Sequence, residues 1–205
     1  MRGKIRAASV ALALLVFAGG CSFLEPQKDP TRYYVLTPVV EGAERVNVNA
    51  RLSFGPVSLP SYLDRPEILV SPAPHRLEVR AYDRWAEPLP NAFPRVLKQD
   101  LVVLLGPDAI VDFASALPPR STQDYLLEVD VLRFEETGHG RAELSARWTI
   151  KDARSRLAVL SRETTAERPV TSSDTAAGVE ALSECVGDLS REIAQALGAL
   201  HGQVR

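Results

Sequence analysis

The most regular pattern in the chain is a pair of alternating segments, residues 124–135 and 141–151, separated by the polar stretch 136–140. In the second segment every other residue is apolar, which is typical of a β-strand with one buried face and one face in water. The apolar positions are Ala142, Leu144, Ala146, Trp148 and Ile150. The pattern predicts an antiparallel hairpin, and residues 157–165 predict a further antiparallel strand.

Two other segments repeat apolar residues every three or four positions, which predicts amphipathic helices. The first begins at Asn91, a good helix-capping residue, and ends at Gly106. Its apolar positions are Phe93, Val96, Leu97, Leu101, Leu104 and Leu105. The second follows a cap at Ser173 or Asp174. Its apolar positions are Val179, Leu182, Val186, Leu189, Ile193, Leu197 and Leu200, with Cys185 at the edge of the stripe.

Short β-branched and aromatic runs predict the remaining strands. These runs are residues 33–36, 51–59 with a bulge or bend at Gly55-Pro56, 67–70, 77–82 after a turn at 71–74, and 109–113. With about seven strands and two long helices, the chain is predicted to be an α/β protein. We expect a single domain with a mixed, largely antiparallel sheet and two main helices packed on one face.

The N-terminus has a different character from the rest of the chain. Its head is basic, residues 7–20 form an apolar run, and Ala18-Gly19-Gly20 precede Cys21. That run is shorter than the roughly 20 residues that a spanning helix needs. The pattern predicts a lipoprotein signal peptide that is cleaved between Gly20 and Cys21, so that the mature chain begins at an acylated Cys21. An ordinary secretory signal and an uncleaved anchor are the alternatives.

Residues 21–32 contain two prolines and no helical or strand period, which predicts a tether between the lipid and a folded domain at 33–205. In Gram-negative bacteria an Asp after the lipidated cysteine commonly retains lipoproteins at the inner membrane, and this chain has Ser22 there. For a Gram-negative source, the expected location is the periplasmic face of the outer membrane.

The net charge and the two cysteines limit the partners and the disulfides that the chain can have. Removal of the three basic residues of the signal brings the formal net charge from −2 to −5, which argues against nucleic acid as a partner. If Cys21 carries lipid, Cys185 has no partner within the chain. Its place on the second helix favours a buried thiol over an intermolecular disulfide.

Candidate chemistry is mostly lacking from the sequence. His75, His139 and His201 have no carboxylate or cysteine at ligand spacing, which argues against a metal site. The chain contains no nucleophile elbow, no phosphate-binding glycine loop and no Cys-x-x-Cys pair. We interpret the carboxylate pair Glu135-Glu136 as solvated at a strand end. The expected protein is not an enzyme, an envelope hydrolase is disfavoured, and no cofactor is expected beyond the lipid on Cys21.

Two segments, residues 54–70 and 82–89, are predicted to form rigid corners. In the first, Pro60 and Pro66 fix the backbone on either side of residues 62–65, and the second leads into the first helix. We expect an ion pair of Arg65 or Arg84 with Asp64 or Glu87. The corners either dock the first helix onto the sheet or form a surface that contacts a partner or another subunit. The candidate contact residues are Tyr62, Leu63, Asp64, Arg65, Arg84, Trp85 and Glu87.

These motifs resemble a known family. Pro-Ser-Tyr-Leu-Asp-Arg-Pro at 60–66 and Arg-Trp-Ala-Glu-Pro-Leu at 84–89, together with Cys21 and Tyr34-Val35-Leu36, are similar to the ABC-type transport auxiliary lipoproteins, which include the paraquat-inducible protein C lipoproteins. The similarity spans nearly the whole mature chain.

The resemblance implies a non-enzymatic, outer-membrane-anchored subunit of an intermembrane phospholipid transport system. That system has an inner-membrane ATPase and permease, and a membrane-anchored MCE-domain protein that this subunit would dock. Some members of the family assemble into homo-oligomeric rings. The alternative is a stand-alone lipoprotein that carries lipid in its own pocket.

Overall fold

The computed structural model describes residues 28–42, 45–112 and 124–202. The chain divides into two units, Met1–Pro30 and Thr31–Arg205, and the fold described here is that of the second unit. The predictions that concern the signal peptide, Gly20, Cys21 and residues 22–27 of the tether lie outside the described residues.

The described residues form one mixed sheet with two long helices, which confirms the predicted α/β class. The strands are β1 (Arg32–Tyr34), β2 (Arg51–Ser58), β3 (Glu67–Ala73), β4 (Arg76–Trp85), β5 (Ile110–Asp112), β6 (Asp124–Thr137), β7 (Arg141–Asp152) and β8 (Ala158–Pro169). The helices are α1 (Leu89–Leu105) and α2 (Thr175–Gly202). Neighbouring strands follow the order β1-β4-β3-β6-β2-β5, and β7 and β8 continue the sheet from the other side of β6.

Strand β6 is the organising strand of the sheet. Along one side it pairs with β7 over its whole length in antiparallel register. Along the other side β2 runs parallel to its first part, ending where Ser58 lies opposite Asp130, and β3 joins only near its end, where Val70 lies opposite Glu136. Residues 59–66, between β2 and β3, therefore do not pair with β6, and the pairing with β6 resumes in β3.

The predicted hairpin and the following strand are confirmed as β6, β7 and β8. The predicted apolar positions of β7 are fully buried beneath the helices, and the Trp148 Nε1 donates a hydrogen bond to the Thr164 Oγ1 on β8 (2.8 Å). The opposite face is charged and self-paired, for example Arg147 with Glu163 at 3.1 Å. This regular half of the sheet matches the alternation in the sequence.

Two details of the predicted elements are wrong. The turn expected at 71–74 is displaced to Pro74-His75, because Ser71 remains in the ladder opposite Thr137 and its carbonyl accepts the Gly138 N–H at 2.7 Å. His75 takes the positive φ of 65° that this tight turn needs. Helix α1 begins at Leu89 after an N-cap at Pro88, so Asn91 is not its cap. The proline at 90 fits the first turn, where no intrahelical N–H bond is lost.

Other details are confirmed. The β2–β6 register shifts between Phe54 and Val57, at the predicted Gly55-Pro56 irregularity. Gly106, with φ 91°, ends α1. The Asp174 carboxylate accepts the N–H of Ala176 at the start of α2 (3.4 Å). Cys185 is a buried free thiol, and burial raises its pKa to about 12, which leaves it unreactive at neutral pH.

Residues 37–40, which follow β1, contact both helices. The Asp100 Oδ1 on α1 accepts the N–H groups of Val39 and Val40, each at 3.1 Å, and the Ser183 Oγ on α2 accepts that of Thr37 at 3.3 Å. Gly187 permits this approach, because a Cβ there would lie only 2.6 Å from the Val39 Cγ2. The chain that leaves β1 is thus fastened to both helices.

Candidate docking surface

The corner between β2 and β3 is a short, strongly constrained turn. Ser61–Leu63 forms one turn of 3₁₀ helix between Pro60 and Asp64. The Pro60 carbonyl accepts the Leu63 N–H at 2.9 Å, and the Ser61 carbonyl accepts the Asp64 N–H at 3.2 Å. Proline at each end fixes the backbone further. The corner therefore holds its side chains in one arrangement.

Tyr62 fastens the corner to the central strand. Its hydroxyl donates a hydrogen bond to the Glu135 Oε2 at 2.9 Å, in the stretch of β6 that neither β2 nor β3 covers. Glu135 is only 4% exposed, so our interpretation of this carboxylate as solvated is wrong. Burial, and then the negative charge of Glu135, raise the pKa of Tyr62, so the phenol keeps its proton.

Leu63 and Trp85 are core residues. They are 2% and 6% exposed, and the Trp85 N–H donates to the Pro66 carbonyl at 2.7 Å, which joins the corner to the end of β4. Neither side chain offers a surface for a partner. For these two residues the structure shows packing in the core, as expected if the corners dock the first helix onto the sheet.

The exposed part of the corner is charged. Asp64 and Arg65 are both exposed, and the Arg65 Nε donates to the Glu67 Oε2 at 3.0 Å. This hydrogen bond is the main reason why the pKa of Glu67 lies below its ordinary value. Glu67 lies opposite Arg84 in the β3–β4 register, so the three side chains share one face of the sheet. Among the described residues, the buried Nε of Arg84 has no hydrogen-bond partner.

Glu87 is not part of this charged group. It forms an ion pair with Arg95 on α1, whose guanidinium also donates to the Leu36 carbonyl at 3.0 Å. The predicted pairing of Arg65 or Arg84 with Asp64 or Glu87 is therefore wrong. Arg65 finds a carboxylate two residues away, and Glu87 finds an arginine two turns into the helix that it precedes.

Sequence reasoning missed Asp83, the residue that fixes β1. Its carboxylate accepts two hydrogen bonds from Arg32, at 2.7 and 3.0 Å, and one from the Thr175 hydroxyl at the start of α2. Burial alone would raise the pKa of Asp83, but the hydrogen bonds from Thr175 and Arg32 outweigh it and hold the pKa below its ordinary value. The available signal was an acidic residue between the predicted strand 77–82 and the Arg84-Trp85 pair.

The described residues contain no group of histidine, cysteine and carboxylate side chains that could hold a metal ion. Their arginine and carboxylate side chains form ion pairs with one another across the outer face of the sheet. The arrangement at the corner suits recognition of a complementary charged surface, with exposed Asp64 and Arg65 carried on a buried base.

A family model described as the ABC-type transport auxiliary lipoprotein component matches residues 34–194. The chain belongs to this family. The match covers the corner, β4, α1, the β6–β7 hairpin and α2 as far as Ala194. It confirms the resemblance noted in the sequence.

Solved structures agree with the assignment. The protein XCC0632 from Xanthomonas campestris, of the DUF330 family, is 26% identical, with a TM-score of 0.66 over 84% of this chain and 97% of that chain. A second structure, described as an uncharacterized protein, is 21% identical, with a TM-score of 0.62 over 80% of this chain and 97% of that chain, and it supports the fold alone. No curated protein matches the sequence.

Family membership gives the general role. The auxiliary lipoproteins are components of ABC-type transport, which makes this chain a lipoprotein of the cell envelope with a transport system as its partner and suggests a non-enzymatic role. None of the helices in the described ranges is long and apolar enough to cross a membrane.

Proposed function

We propose that this auxiliary lipoprotein is anchored to the periplasmic face of the outer membrane through lipid on Cys21, and that it docks the MCE-domain protein of an intermembrane phospholipid transport system. The anchor places the folded domain, residues 33–205, at one membrane. The docked partner reaches across from the other, so that phospholipid passes between the membranes without crossing water.

The observation that carries the docking role is the construction of the corner. Asp64 and Arg65 are exposed, yet the backbone beneath them is fixed by two prolines, by buried Leu63 and by the link from Pro66 to Trp85. A surface that is ordered before binding loses little conformational entropy when it binds. The exposed pair can therefore contribute specificity through charge complementarity.

A carrier role receives less support. Two grooves of the described residues, with volumes of about 490 and 520 Å³, each have arginine and carboxylate side chains in their lining. The first lies between the β3–β4 and β6–β7 turns and includes Arg133, Arg141, Glu143 and Glu167. Acyl chains favour apolar walls, which neither lining offers throughout.

The test is recovery of the transport complex from membranes with the lipidated, full-length chain. Arg65→Glu reverses an exposed charge, and we expect a roughly tenfold loss of co-purified MCE protein, as for a hot-spot residue. Arg154→Glu makes the same change in the exposed β7–β8 turn and serves as the matched control. Mass analysis of the N-terminal peptide and a thermal melt establish that each variant is lipidated and folded.

Equal recovery for the wild type, Arg65→Glu and Arg154→Glu would contradict docking through the corner. Native mass spectrometry of the purified chain separates the two functions. Phospholipid retained at one molecule per monomer would support the carrier, and a lipid-free oligomer would support docking.

A further inference from the structure

The exposed apolar side chains of the described residues are unevenly distributed. Five of the eight large ones lie on β4, on β1 or directly after β1. Three of these form what we call the tyrosine patch: Tyr33 (64% exposed), Val35 (48%) and Tyr82 (57%). Leu77 and Val79 continue the apolar surface along β4. Single exposed apolar residues are ordinary, whereas a group on adjoining strands indicates an interaction surface.

The fold does not require these side chains. β1 is held to β4 by the alternate residues, through the Arg32–Asp83 pair and through Tyr34, which packs against the core opposite Trp85. Tyr33 and Val35 point away from those contacts, since successive side chains of a strand lie on opposite faces. Tyr33 lies opposite Arg84 in register, and Tyr82 precedes Arg84 by two residues. The patch thus has a cationic residue beside it.

The position of the patch along the chain identifies its partner. Tyr33 follows Cys21 by 12 residues, a distance of about 40 Å when fully extended and about 20 Å on average for a flexible chain. A lipidated Cys21 keeps the patch near one bilayer at all times. Tethering makes contact with that bilayer effectively intramolecular, so that even a weakly binding surface is occupied.

The chemistry of the patch fits the same partner. Tyrosine is enriched where membranes meet water, because its ring is apolar and its hydroxyl can reach headgroups or water. An arginine beside the rings suits the phosphate groups of phospholipids. We propose that the tyrosine patch rests on the headgroup region of the membrane that holds the anchor. This inference rests on the lipid anchor of the proposed function.

The test uses the full-length, lipidated chain in vesicles of phosphatidylethanolamine and phosphatidylglycerol. A nitroxide spin label is attached at Tyr33→Cys or at Tyr82→Cys, and Val35→Cys is available if either variant is unstable. The natural Cys185 is buried, so we do not expect it to take up the label. Leu157→Cys is the matched control, because Leu157 is apolar, 70% exposed and adjoins β8, at the edge of the sheet opposite β1.

We expect the ratio of collisions with oxygen to collisions with a water-soluble nickel complex to be at least about threefold higher at positions 33 and 82 than at 157. Equal ratios at all three positions would overturn the proposal. Low accessibility to both reagents, with dipolar broadening between labels, would also overturn it and would assign the patch to a second copy of the chain.

Vesicle flotation separates this inference from the function on which it rests. A chain that does not float with the vesicles lacks the anchor, which contradicts both proposals. A chain that floats with water-exposed labels at 33 and 82 contradicts only the membrane contact of the patch.

Discussion

The two halves of the sheet use their charged residues differently. In β7 and β8 the outer face is a regular ladder in which Arg147 pairs with Glu163 and Arg141 pairs with Glu167. Around the corner and β4 the strands are interrupted, carboxylates are buried, and Asp64 and Arg65 face solvent. The regular half is an uninterrupted ladder of ion pairs, whereas the irregular half pairs Arg65 with Glu67 but also exposes Asp64 and the aromatic side chains of the tyrosine patch. We therefore expect stability to depend on both halves and partner binding to depend on the irregular one.

The largest expected effect is the loss of a buried tryptophan from either half. Trp148→Ala should lower the free energy of unfolding by about 3 to 5 kcal/mol, because it opens a cavity in the core and removes the hydrogen bond to Thr164. Trp85→Ala should cost a similar amount. Urea denaturation measures both. In addition, Trp85→Ala should lower recovery of the transport complex more than Trp148→Ala does, and equal recovery would contradict the assignment of docking to the irregular half.

Removal of the buried charge at Asp83 should have the next largest effect. Asp83→Asn removes the carboxylate that accepts hydrogen bonds from Arg32 and Thr175, and it should lower the free energy of unfolding at pH 7 by about 2 kcal/mol, because the Arg32 side chain is itself 60% exposed and keeps its hydration. The pKa of Asp83 is depressed in the folded state, so the stability that it contributes is present above its unfolded pKa of about 4 and is lost as the pH falls through the lower folded value.

Thermal melts between pH 2 and pH 7 measure this linkage. The wild type should lose more stability below pH 4 than Asp83→Asn does. Parallel curves for the two proteins would show that Asp83 has no depressed pKa.

A smaller effect is expected at Tyr62. Tyr62→Phe keeps the ring but leaves the buried Glu135 carboxylate without the phenol donor, which should cost about 1 to 2 kcal/mol. The matched change in the regular half is Thr149→Val, which removes an exposed hydroxyl pair with Ser161 and should cost much less. Urea denaturation compares the two variants. A larger loss at Thr149 would contradict the role of Tyr62 in fastening the corner.

The smallest effect is expected for the ladder itself. Arg147→Ala breaks an ion pair whose two side chains are both more than half exposed, and its cost should not exceed about 0.5 kcal/mol. The expected change in complex recovery is none. A clear loss of either would show that the ladder does more than neutralise charge.

Much of the fold could be predicted from local patterns of apolar residues in the sequence. The hairpin, β8 and both helices follow from repeats of two or of three to four residues, because each of these elements buries one face. The displaced turn at Pro74-His75 could not be read this way, since Ser71 is held in the ladder by a strand that lies more than 60 residues later.

The candidate site was harder to predict for the same reason. The corner and its prolines were visible, but the partners of its charges were not. Glu135 meets Tyr62, and Asp83 meets Arg32 and Thr175, only after the sheet is assembled. Sequence spacing could suggest a nearby ion pair for Arg65, but it did not show that Glu67, rather than Asp64 or Glu87, would accept it.

The Arg32–Asp83 ion pair, which holds β1 against β4, also has a mechanical consequence. Arg32 comes directly before Tyr33, and its guanidinium is chelated by Asp83, which is bonded in turn to the first residue of α2. In the anchoring that we propose, tension applied through lipid on Cys21 would reach this ion pair before it reached the hydrophobic core.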